Sequence, residues 1–267
     1  MLYERAEELD LEPWSPAYFA EVDRRFFAAA QESMPGGERP FDAVIDYEGL
    51  AEKDVLEVGV GLGAHAQLLA ASARSFTGID LTDHAIGATS ARLKHAGLEA
   101  KLERMDAEEM TFADESFDYV WSWGVLHHSA NTKRIISEIA RVLRPGGEAA
   151  VMVYHRSFWV YYVLAGLCHG VFRGELLRSR SLPRTLQSFA DGAIARYYTE
   201  QEWRDLVGSR LQVEEVNIYG QKTDLLPLPA GALKERLKGH IPVAWSRYVT
   251  NDLRQGQFLF ARMRRPA

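Results

Sequence analysis

Apolar and polar residues alternate along the chain in blocks that predict strands joined by helices. The clearest block is residues 55–58, an apolar run interrupted only by Glu57. It continues into three glycines at alternate positions, Gly59, Gly61 and Gly63. A short apolar run that ends in glycines is typical of a buried parallel strand entering a tight turn. We therefore expect a strand, a turn, and then a helix that starts near Ala64.

The amino-terminal segment carries aromatic residues at helix-like spacing. They are Trp14, Tyr18, Phe19, Phe26 and Phe27. Pro13 and Pro16 suit the start of a helix, and the proline- and glycine-rich residues 34–40 interrupt the pattern. We predict a helical segment within residues 1–50, ahead of the first strand.

Two later segments do not fit a simple alternation of strands and helices. Residues 158–172 are almost wholly apolar, and these fifteen residues, which include a histidine, are too few to cross a bilayer. We interpret them as a cap helix, with a helix lying in a membrane interface as the alternative. Residues 221–255 link two predicted strands, 211–220 and 256–263, which follow a helix predicted at 199–208. Links of such length usually have a function, so we expect a cap or a dimer contact.

Composition and charge are those of an ordinary globular enzyme. Of the 267 residues, 47% are hydrophobic and 25% are charged, which suits one large domain with a cap. The single cysteine, Cys168, cannot form an internal disulfide, and the acidic first residues lack a signal sequence, so we expect a cytoplasmic protein. Basic residues prevail after residue 170 but are scattered without interleaved aromatic residues, which argues against a nucleic-acid partner.

The glycine turn predicts a ligand site. Turns of this kind at the carboxyl end of a strand bind nucleotides in open α/β folds, because bare backbone can lie against the ligand. With Ala64 in the last place, the turn also satisfies the dinucleotide-binding pattern Gly-x-Gly-x-x-Ala. Glu57 separates the two ligand classes, since a buried carboxylate would repel a pyrophosphate and would suit a cation. S-adenosyl-L-methionine, with its ammonium and sulfonium groups, is such a ligand.

Four further motifs follow the glycine turn in order. Residues 75–80 read Ser-Phe-Thr-Gly-Ile-Asp, and residues 105–107 read Met-Asp-Ala. Residues 116–123 form an apolar strand that leads to two histidines, and residues 141–147 read Arg-Val-Leu-Arg-Pro-Gly-Gly. With these motifs, residues 50–155 resemble a class I S-adenosylmethionine-dependent methyltransferase of the type 11 group, which methylates small molecules and lipids.

The resemblance implies a fold and a division of the chain. The fold would be a Rossmann-like three-layer α/β sandwich with helical cap insertions, in which a mostly parallel seven-stranded sheet has an antiparallel last strand. Residues 53–154 would form five β/α units. The implied parts are an amino-terminal helical lid (1–50), a cofactor-binding core (51–155), a cap insertion (156–198), and a carboxy-terminal part of the core (199–267) that contains the 221–255 insertion.

The resemblance also assigns a cofactor site. Asp80 would hold both ribose hydroxyls, with Leu81 beside the adenine. Asp106 would hold the adenine amino group, and the backbone N–H of Ala107 would reach the ring. The residues assigned to the cofactor are Glu57, Gly59, Gly61, Gly63, Asp80, Leu81, Asp106, Ala107 and Trp123.

Methyl transfer from a sulfonium needs alignment and desolvation, and it needs a base when the acceptor is a hydroxyl. The candidates for that chemistry follow the fourth and fifth predicted strands, namely His127, His128, Tyr154 and His155, of which His128 and His155 are favoured. Candidates for substrate-binding residues are Arg156, Trp159, Tyr162, Tyr197 and Tyr198. No residues have metal-ligand spacing, so we expect no metal.

We therefore expect an enzyme that methylates oxygen, nitrogen or carbon of a small, largely apolar or aromatic acceptor and releases S-adenosyl-L-homocysteine. A lipid or polyprenyl methyltransferase at a membrane surface is one alternative. An NAD-dependent oxidoreductase is another, although Glu57 and the Arg-Pro-Gly-Gly turn argue against it. We expect a monomer or a homodimer.

Overall fold

The chain folds around one mixed sheet with helices on both faces. The structure, a computed structural model, describes residues 10–34, 36–37, 39–171, 174–187, 194–228 and 231–267. The strands in these residues are β1 (Asp54–Val58), β2 (Ser75–Asp80), β3 (Lys101–Arg104), β4 (Phe117–Trp123), β5 (Leu143–His155), β6 (Tyr197–Tyr198), β7 (Gln212–Tyr219) and β8 (Phe258–Arg264). Their order across the sheet is β3-β2-β1-β4-β5-β8-β7, and β6 pairs with the end of β5.

The helices of the described residues surround this sheet. The α-helices are α1 (Pro16–Ser33), α2 (Ala64–Ala70), α3 (Asp83–His95), α4 (Thr132–Val142), α5 (Glu175–Ser179), α6 (Leu182–Gln187), α7 (Glu200–Val207), α8 (Ala232–His240) and α9 (Val243–Arg247). The 3-10 helices are Glu48–Leu50, Leu126–His128 and Lys222–Leu225, and the π-helices are Phe158–Val171 and Tyr248–Asp252.

Strand direction agrees with the expected fold. Strands β1 to β5 are parallel, and β8 runs antiparallel between β5 and β7. The predicted Rossmann-like α/β sandwich with an antiparallel last strand is therefore confirmed. The helix predicted to start near Ala64 begins at that residue, as α2.

The alternation of side chains along β1 divides the core into two layers. Leu56 and Val58 belong to the apolar cluster that includes α4 and α7, on one face of the sheet. Val55 belongs to the cluster on the other face, with residues of α1, α2 and α3. Because successive side chains of a strand point to opposite faces, Glu57 shares the face of Val55.

Two features of the sheet differ from the sequence prediction. Residues 105–116, between β3 and β4, contain no helix. The prediction of five β/α units in residues 53–154 is therefore wrong at this link. The backbone of this link is hydrogen-bonded by α4 instead: Arg141 donates to the carbonyls of Met110 and Phe112, at 2.8 and 2.7 Å, and Glu138 accepts from the Met110 N–H at 3.0 Å. The short strand β6 was not predicted, and it extends the sheet beyond the end of β4.

Residues 221–255 hold together two segments that lie at the carboxyl edge of the sheet. Arg247 Nε donates to the carbonyl of Glu32 at 3.1 Å, and Asn251 Nδ2 donates to that of Ser33 at 2.8 Å, which caps the carboxyl end of α1. On the other side, the indole of Trp159, in the π-helix Phe158–Val171, donates to the carbonyl of Asp224 at 2.9 Å. The 221–255 segment thus connects α1 to the π-helix.

A buried arginine ties α1 to the glycine turn. Arg92, on α3, is only 2% exposed and donates to the Leu62 carbonyl at 3.1 Å and to Gln67 Oε1 at 2.9 Å. Its remaining guanidinium nitrogen forms an ion pair with Asp23 of α1. The guanidinium also lies 5.2 Å from the centre of the Phe19 ring. These contacts hold α1 against the turn that follows β1.

The ion pair of Asp23 should contribute measurably to stability. Asp23→Ala leaves the buried Arg92 cation without its counter-charge, so we expect the free energy of unfolding to fall by about 3 kcal/mol in urea denaturation. Glu21→Ala is the matched control on α1, because Glu21 pairs with Arg24 and Arg25 at the surface and its loss should leave the unfolding midpoint nearly unchanged. Equal destabilisation by both substitutions would contradict a special role for Asp23.

Candidate functional site

A cavity of about 390 Å³ opens where the carboxyl ends of β1, β2, β3 and β4 meet. Its lining includes six residues that the sequence assigned to the site, namely Gly59, Asp80, Leu81, Asp106, Ala107 and His128. The rest of the lining is mainly apolar, with side chains such as Val125, Met105 and Ile135. The structure therefore brings most of the predicted cofactor residues and one predicted base to a single space.

The turn after β1 shapes this cavity through its backbone. Gly59 has φ +85°, and its N–H donates to the Ile79 carbonyl at 2.8 Å. A Cβ atom at this position would lie 2.2 Å from Val125 Cγ2, so a larger residue does not fit. Gly61 has φ +52°, and Gly63, with φ +78°, is the residue at which α2 is capped. The turn thus offers bare backbone beside the cavity, as a ligand site requires.

Two carboxylates are fixed at the ends of neighbouring strands. Asp80, at the end of β2, accepts from the Gly61 N–H at 3.2 Å and from the Thr82 N–H at 3.0 Å. Asp106, just after β3, accepts from the Glu108 N–H at 2.8 Å. Leu81 lies between them in sequence and is 63% exposed, although it lines the cavity. The arrangement presents two oriented anions and an apolar surface to one ligand.

Glu57 lies in β1, directly before the same turn, and its side chain is buried. It is 1% exposed, and its Oε2 has no hydrogen-bond partner in the described part of the chain. Burial, together with the charge of Asp80, raises the pKa of Glu57 well above that of an ordinary glutamate, and Arg92 offsets this only partly. A buried carboxylate without a partner is costly, and a cationic ligand group would remove that cost.

Trp123, like Glu57, is a predicted cofactor residue that does not line the cavity. Its ring stacks on Trp121 at 5.7 Å between centroids and packs against Phe41 at 5.1 Å and His65 at 5.6 Å. These aromatic rings lie in the core layer between the sheet and helices α1 and α2. The structure therefore places Trp123 in an aromatic cluster behind the turn.

His128 is the predicted base that reaches the cavity. Its Nδ1 lies 2.6 Å from the carbonyl oxygen of Ile194, which can only accept, so Nδ1 carries the proton. In the neutral ring, Nε2 is then the nitrogen able to accept a proton. His128 is half-buried and lines the cavity together with Asp80 and Asp106.

The other two predicted histidines, His127 and His155, are buried and do not line the cavity. His127 is fully buried between the rings of His128, at 4.1 Å, and Tyr154, at 3.8 Å, and in the described residues neither of its ring nitrogens has a hydrogen-bond partner. Burial lowers its pKa well below the ordinary value, with a smaller effect from His128. His155 is 7% exposed and donates from Nδ1 to the Gly256 carbonyl at 2.9 Å, and burial lowers its pKa too. Both rings are placed to stay neutral and to support neighbouring backbone and rings.

The predicted substrate residues fall into two groups. Arg156, Tyr197 and Tyr198 line a second cavity of about 600 Å³, which shares Ala130 with the first. There Tyr197 stacks on Tyr154 at 5.3 Å, Tyr198 donates to Thr132 Oγ1 at 2.9 Å, and Arg156 forms an ion pair with Glu202.

The cap residues Trp159 and Tyr162 lie elsewhere. Trp159 is held by residues 221–255, since its indole donates to the Asp224 carbonyl and its backbone N–H to Gln255 Oε1 at 3.0 Å. Tyr162 is 46% exposed on the outside of the π-helix. Neither residue lines the two cavities described above.

Sequence reasoning missed several residues of the site. Val125 and Ile194 line the cavity, and Ser129 lines it while its hydroxyl donates to Glu108 at 2.6 Å. All three belong to loops, and none has a pattern in the sequence that marks it. Arg92 was also missed, because a lone arginine on a helix reads as a surface residue. Among the described residues, no group of three histidine, cysteine or acidic side chains is placed to share a metal ion.

The sheet order, the turn at Gly59 and the acids at the ends of β2 and β3 define a nucleotide-type cofactor site in a Rossmann-like fold. Residues 56–151 match the family model described as a methyltransferase domain. A ubiquinone biosynthesis O-methyltransferase of Aromatoleum aromaticum is 29% identical over 157 residues, which are 57% of this chain and 67% of that protein. A phosphatidylethanolamine N-methyltransferase of Cereibacter sphaeroides is 37% identical over 100 residues, 37% of this chain and 49% of the relative.

Solved structures agree on the fold. An S-adenosylmethionine-dependent methyltransferase from Mesorhizobium loti superposes with a TM-score of 0.54 at 18% identity, covering 81% of this chain and 92% of the other. Residues 56–151 therefore carry a methyltransferase domain of the class I S-adenosylmethionine-dependent type, whose cofactor is S-adenosylmethionine.

Glu57 should release a proton when the cofactor product binds. In the free protein its raised pKa keeps the carboxyl protonated to a higher pH than an ordinary glutamate. A ligand ammonium nearby would lower that pKa, so between the two pKa values binding releases a proton and affinity rises with pH. Calorimetric titration with S-adenosylhomocysteine, in buffers of different ionisation enthalpy, measures this release.

Glu57→Gln supplies the control, because the amide keeps the shape of the side chain and does not titrate. The variant should bind without the proton release seen in the parent. The same proton release from both proteins would show that Glu57 is not the group that responds to the ligand.

Proposed function

We propose that the protein transfers a methyl group from S-adenosylmethionine to a small, largely apolar acceptor in the cavity at the carboxyl edge of the sheet. The observation that carries the proposal is that His128 lines the same space as the two fixed carboxylates, Asp80 and Asp106. A group able to accept a proton thus lies in one cavity with the groups expected to hold the cofactor.

The chain has residues suited to each part of the cofactor. Asp80 would accept from the ribose hydroxyls, Asp106 from the adenine amino group, and Leu81 and Ala107 would contact the ring. Glu57, buried and without a partner, suits the ammonium of the methionine part. The cofactor supplies a methyl group that is already activated by a positively charged sulfur. The protein therefore has to align the acceptor and keep water out.

The surroundings of the cavity support an apolar acceptor. Its lining is dominated by aliphatic side chains, including Val125, Ile135 and Ile194. The apolar π-helix Phe158–Val171 leaves β5 at the same edge of the sheet. The similar proteins from Aromatoleum and Cereibacter are named for ubiquinone biosynthesis and for phosphatidylethanolamine, which supports a lipid-like acceptor here.

His128 would act as the base when the acceptor is a hydroxyl. Its Nδ1–H is held by the Ile194 carbonyl, so the ring keeps the tautomer in which Nε2 can accept the proton. An amine that is already neutral, or a carbon nucleophile, would need no base in the methyl-transfer step. A requirement for His128 in turnover would therefore indicate a hydroxyl acceptor.

The proposal predicts that labelled methyl groups are transferred to apolar acceptors, whose products are extracted into organic solvent. Purified protein with methyl-labelled S-adenosylmethionine is offered a long-chain fatty acid, phosphatidylethanolamine and an alkylphenol, and extractable label is counted. Asp80→Ala should abolish transfer and weaken S-adenosylhomocysteine binding by more than about tenfold, since a charged hydrogen bond contributes about 1.5–3 kcal/mol. Asp83→Ala is the matched control, because Asp83 is 80% exposed and its ion pair in the described residues is with Arg104. Label that enters only short, water-soluble acceptors would contradict an apolar acceptor.

The role of His128 has its own test. With a hydroxyl acceptor, His128→Ala should lower turnover by roughly 10²–10⁴-fold and leave S-adenosylhomocysteine affinity nearly intact. His155→Ala is the comparison, since His155 does not line the cavity. Turnover of His128→Ala within a few fold of the parent would remove general-base catalysis by this residue.

A further inference from the structure

Exposed apolar side chains are concentrated in two segments of the described chain. Ten of the twelve large hydrophobic side chains that are exposed in the described residues lie within residues 158–177 and 233–253. Phe158 is 68% exposed, Leu177 82%, and Trp245 and Tyr248 52% each. Single exposed hydrophobic residues are normal on a surface, but a concentration of them indicates a binding face.

Helix α8 turns its apolar side outward. Leu233, Arg236, Leu237 and His240 are exposed and follow one another at helical spacing, which puts them on one face. Leu233 is 63% exposed and Leu237 40%. Lys234 and Lys238 lie on the other side of the helix and are partly buried. A helix that packs on a protein normally buries its leucines and exposes its lysines, so the face of Leu233 and Leu237 suits an external partner.

The two segments form one surface at the edge of the sheet that holds the cavities. Trp159, in the first segment, is bonded to Asp224 and Gln255, which flank the second. The first segment follows the end of β5, and residues 221–255 leave β7 and return through β8. Because β5 and β7 both run antiparallel to β8, both segments emerge at the carboxyl edge. The exposed apolar residues therefore lie at the same edge of the sheet as the cavity.

Charge distinguishes the kinds of partner that such a surface could take. In the described parts of residues 156–198 and 221–255, the exposed charged side chains are six arginines, Arg178, Arg180, Arg184, Arg196, Arg236 and Arg254, against two acids, Glu235 and Asp252, in a chain whose net charge is −6. Leucine, tryptophan and tyrosine side chains interspersed with basic residues are typical of segments that lie at the boundary between lipid headgroups and acyl chains. The described residues contain no helix with the length and apolar character that crossing a bilayer needs.

We propose that these two segments, called here the apolar–basic surface, dock the protein on a bilayer that contains anionic lipids. The exposed apolar side chains of α8, α9 and the start of the π-helix would enter the interface, and exposed arginines such as Arg236 would contact the headgroups. The docking itself does not depend on the enzymatic reaction. The further step, that an apolar acceptor enters the cavity from the bilayer, rests on the proposed function.

Sedimentation with vesicles tests the docking without cofactor or acceptor. The parent should sediment with vesicles of phosphatidylcholine and phosphatidylglycerol, and less with phosphatidylcholine alone or at high salt. Leu233→Glu with Leu237→Glu should weaken the association more than about tenfold, because two apolar anchors are lost. Arg236→Glu should weaken it about fivefold or more, as expected for a basic residue near an anionic surface.

Controls separate this result from misfolding and from the enzymatic proposal. Arg210→Glu reverses an exposed charge just before β7, at the opposite edge of the sheet, and should bind vesicles like the parent. All variants should keep the melting temperature and the S-adenosylhomocysteine affinity of the parent, because the changed side chains are exposed. A parent protein that does not bind S-adenosylhomocysteine would overturn the proposed function and would leave the docking result unaffected.

Two outcomes would overturn the docking proposal. One is a parent protein that fails to sediment with anionic vesicles, and the other is undiminished binding by the Leu233→Glu, Leu237→Glu variant. Analytical ultracentrifugation examines a second copy of the chain as the partner. A dimer that these substitutions dissociate, in a protein that ignores vesicles, would assign the surface to self-association instead.

Discussion

The close approach of Gly59 to Val125 shapes the cavity on which the rest of the site depends. A Cβ atom at Gly59 would lie 2.2 Å from Val125 Cγ2, so only bare backbone can occupy that position. With the backbone there, the Gly61 N–H reaches Asp80 at 3.2 Å, and the ends of β1, β2 and β4 open onto one space. One turn therefore sets the distance between the strand ends and orients the carboxylate that faces the ligand.

Two buried ionic groups flank this turn, and they differ in how well they are satisfied. Arg92 has partners for its guanidinium in Asp23, Gln67 and the Leu62 carbonyl, which stiffen the turn and hold α1 against it. Glu57 has an oxygen without a partner in the described residues, and burial raises its pKa. A fully satisfied cation suits a structural role, whereas an unsatisfied acid suits a site completed by a positively charged ligand.

The sequence predicted the parts of the site that depend on local pattern. Strand ends can be located from apolar runs, and residues at the ends of parallel strands meet at one edge, which is why Asp80, Asp106 and His128 come together. The sequence pattern does not tell which aromatic cluster a side chain joins, or which loop packs against a strand end. For that reason Trp123 was assigned to the cofactor although it packs with Trp121, and the bond from His155 to Gly256 was not foreseen. The predicted β/α unit between β3 and β4 has no helix, and side chains of α4 hydrogen-bond the backbone of the link there.

The lysine side of α8 faces a buried acid inside the protein. Asp224 is buried beneath this helix, and burial raises its pKa to about 7. The positive charge of Lys234 opposes that shift, but burial lowers the pKa of Lys234 by more than Asp224 raises it, so the inward lysine is only partly compensated. The carbonyl of the same Asp224 accepts from the indole of Trp159, so one residue faces α8 and holds the π-helix. Exposed Leu233 and Leu237 thus share α8 with a partly buried cation, an arrangement that suits a helix whose outer face binds a partner.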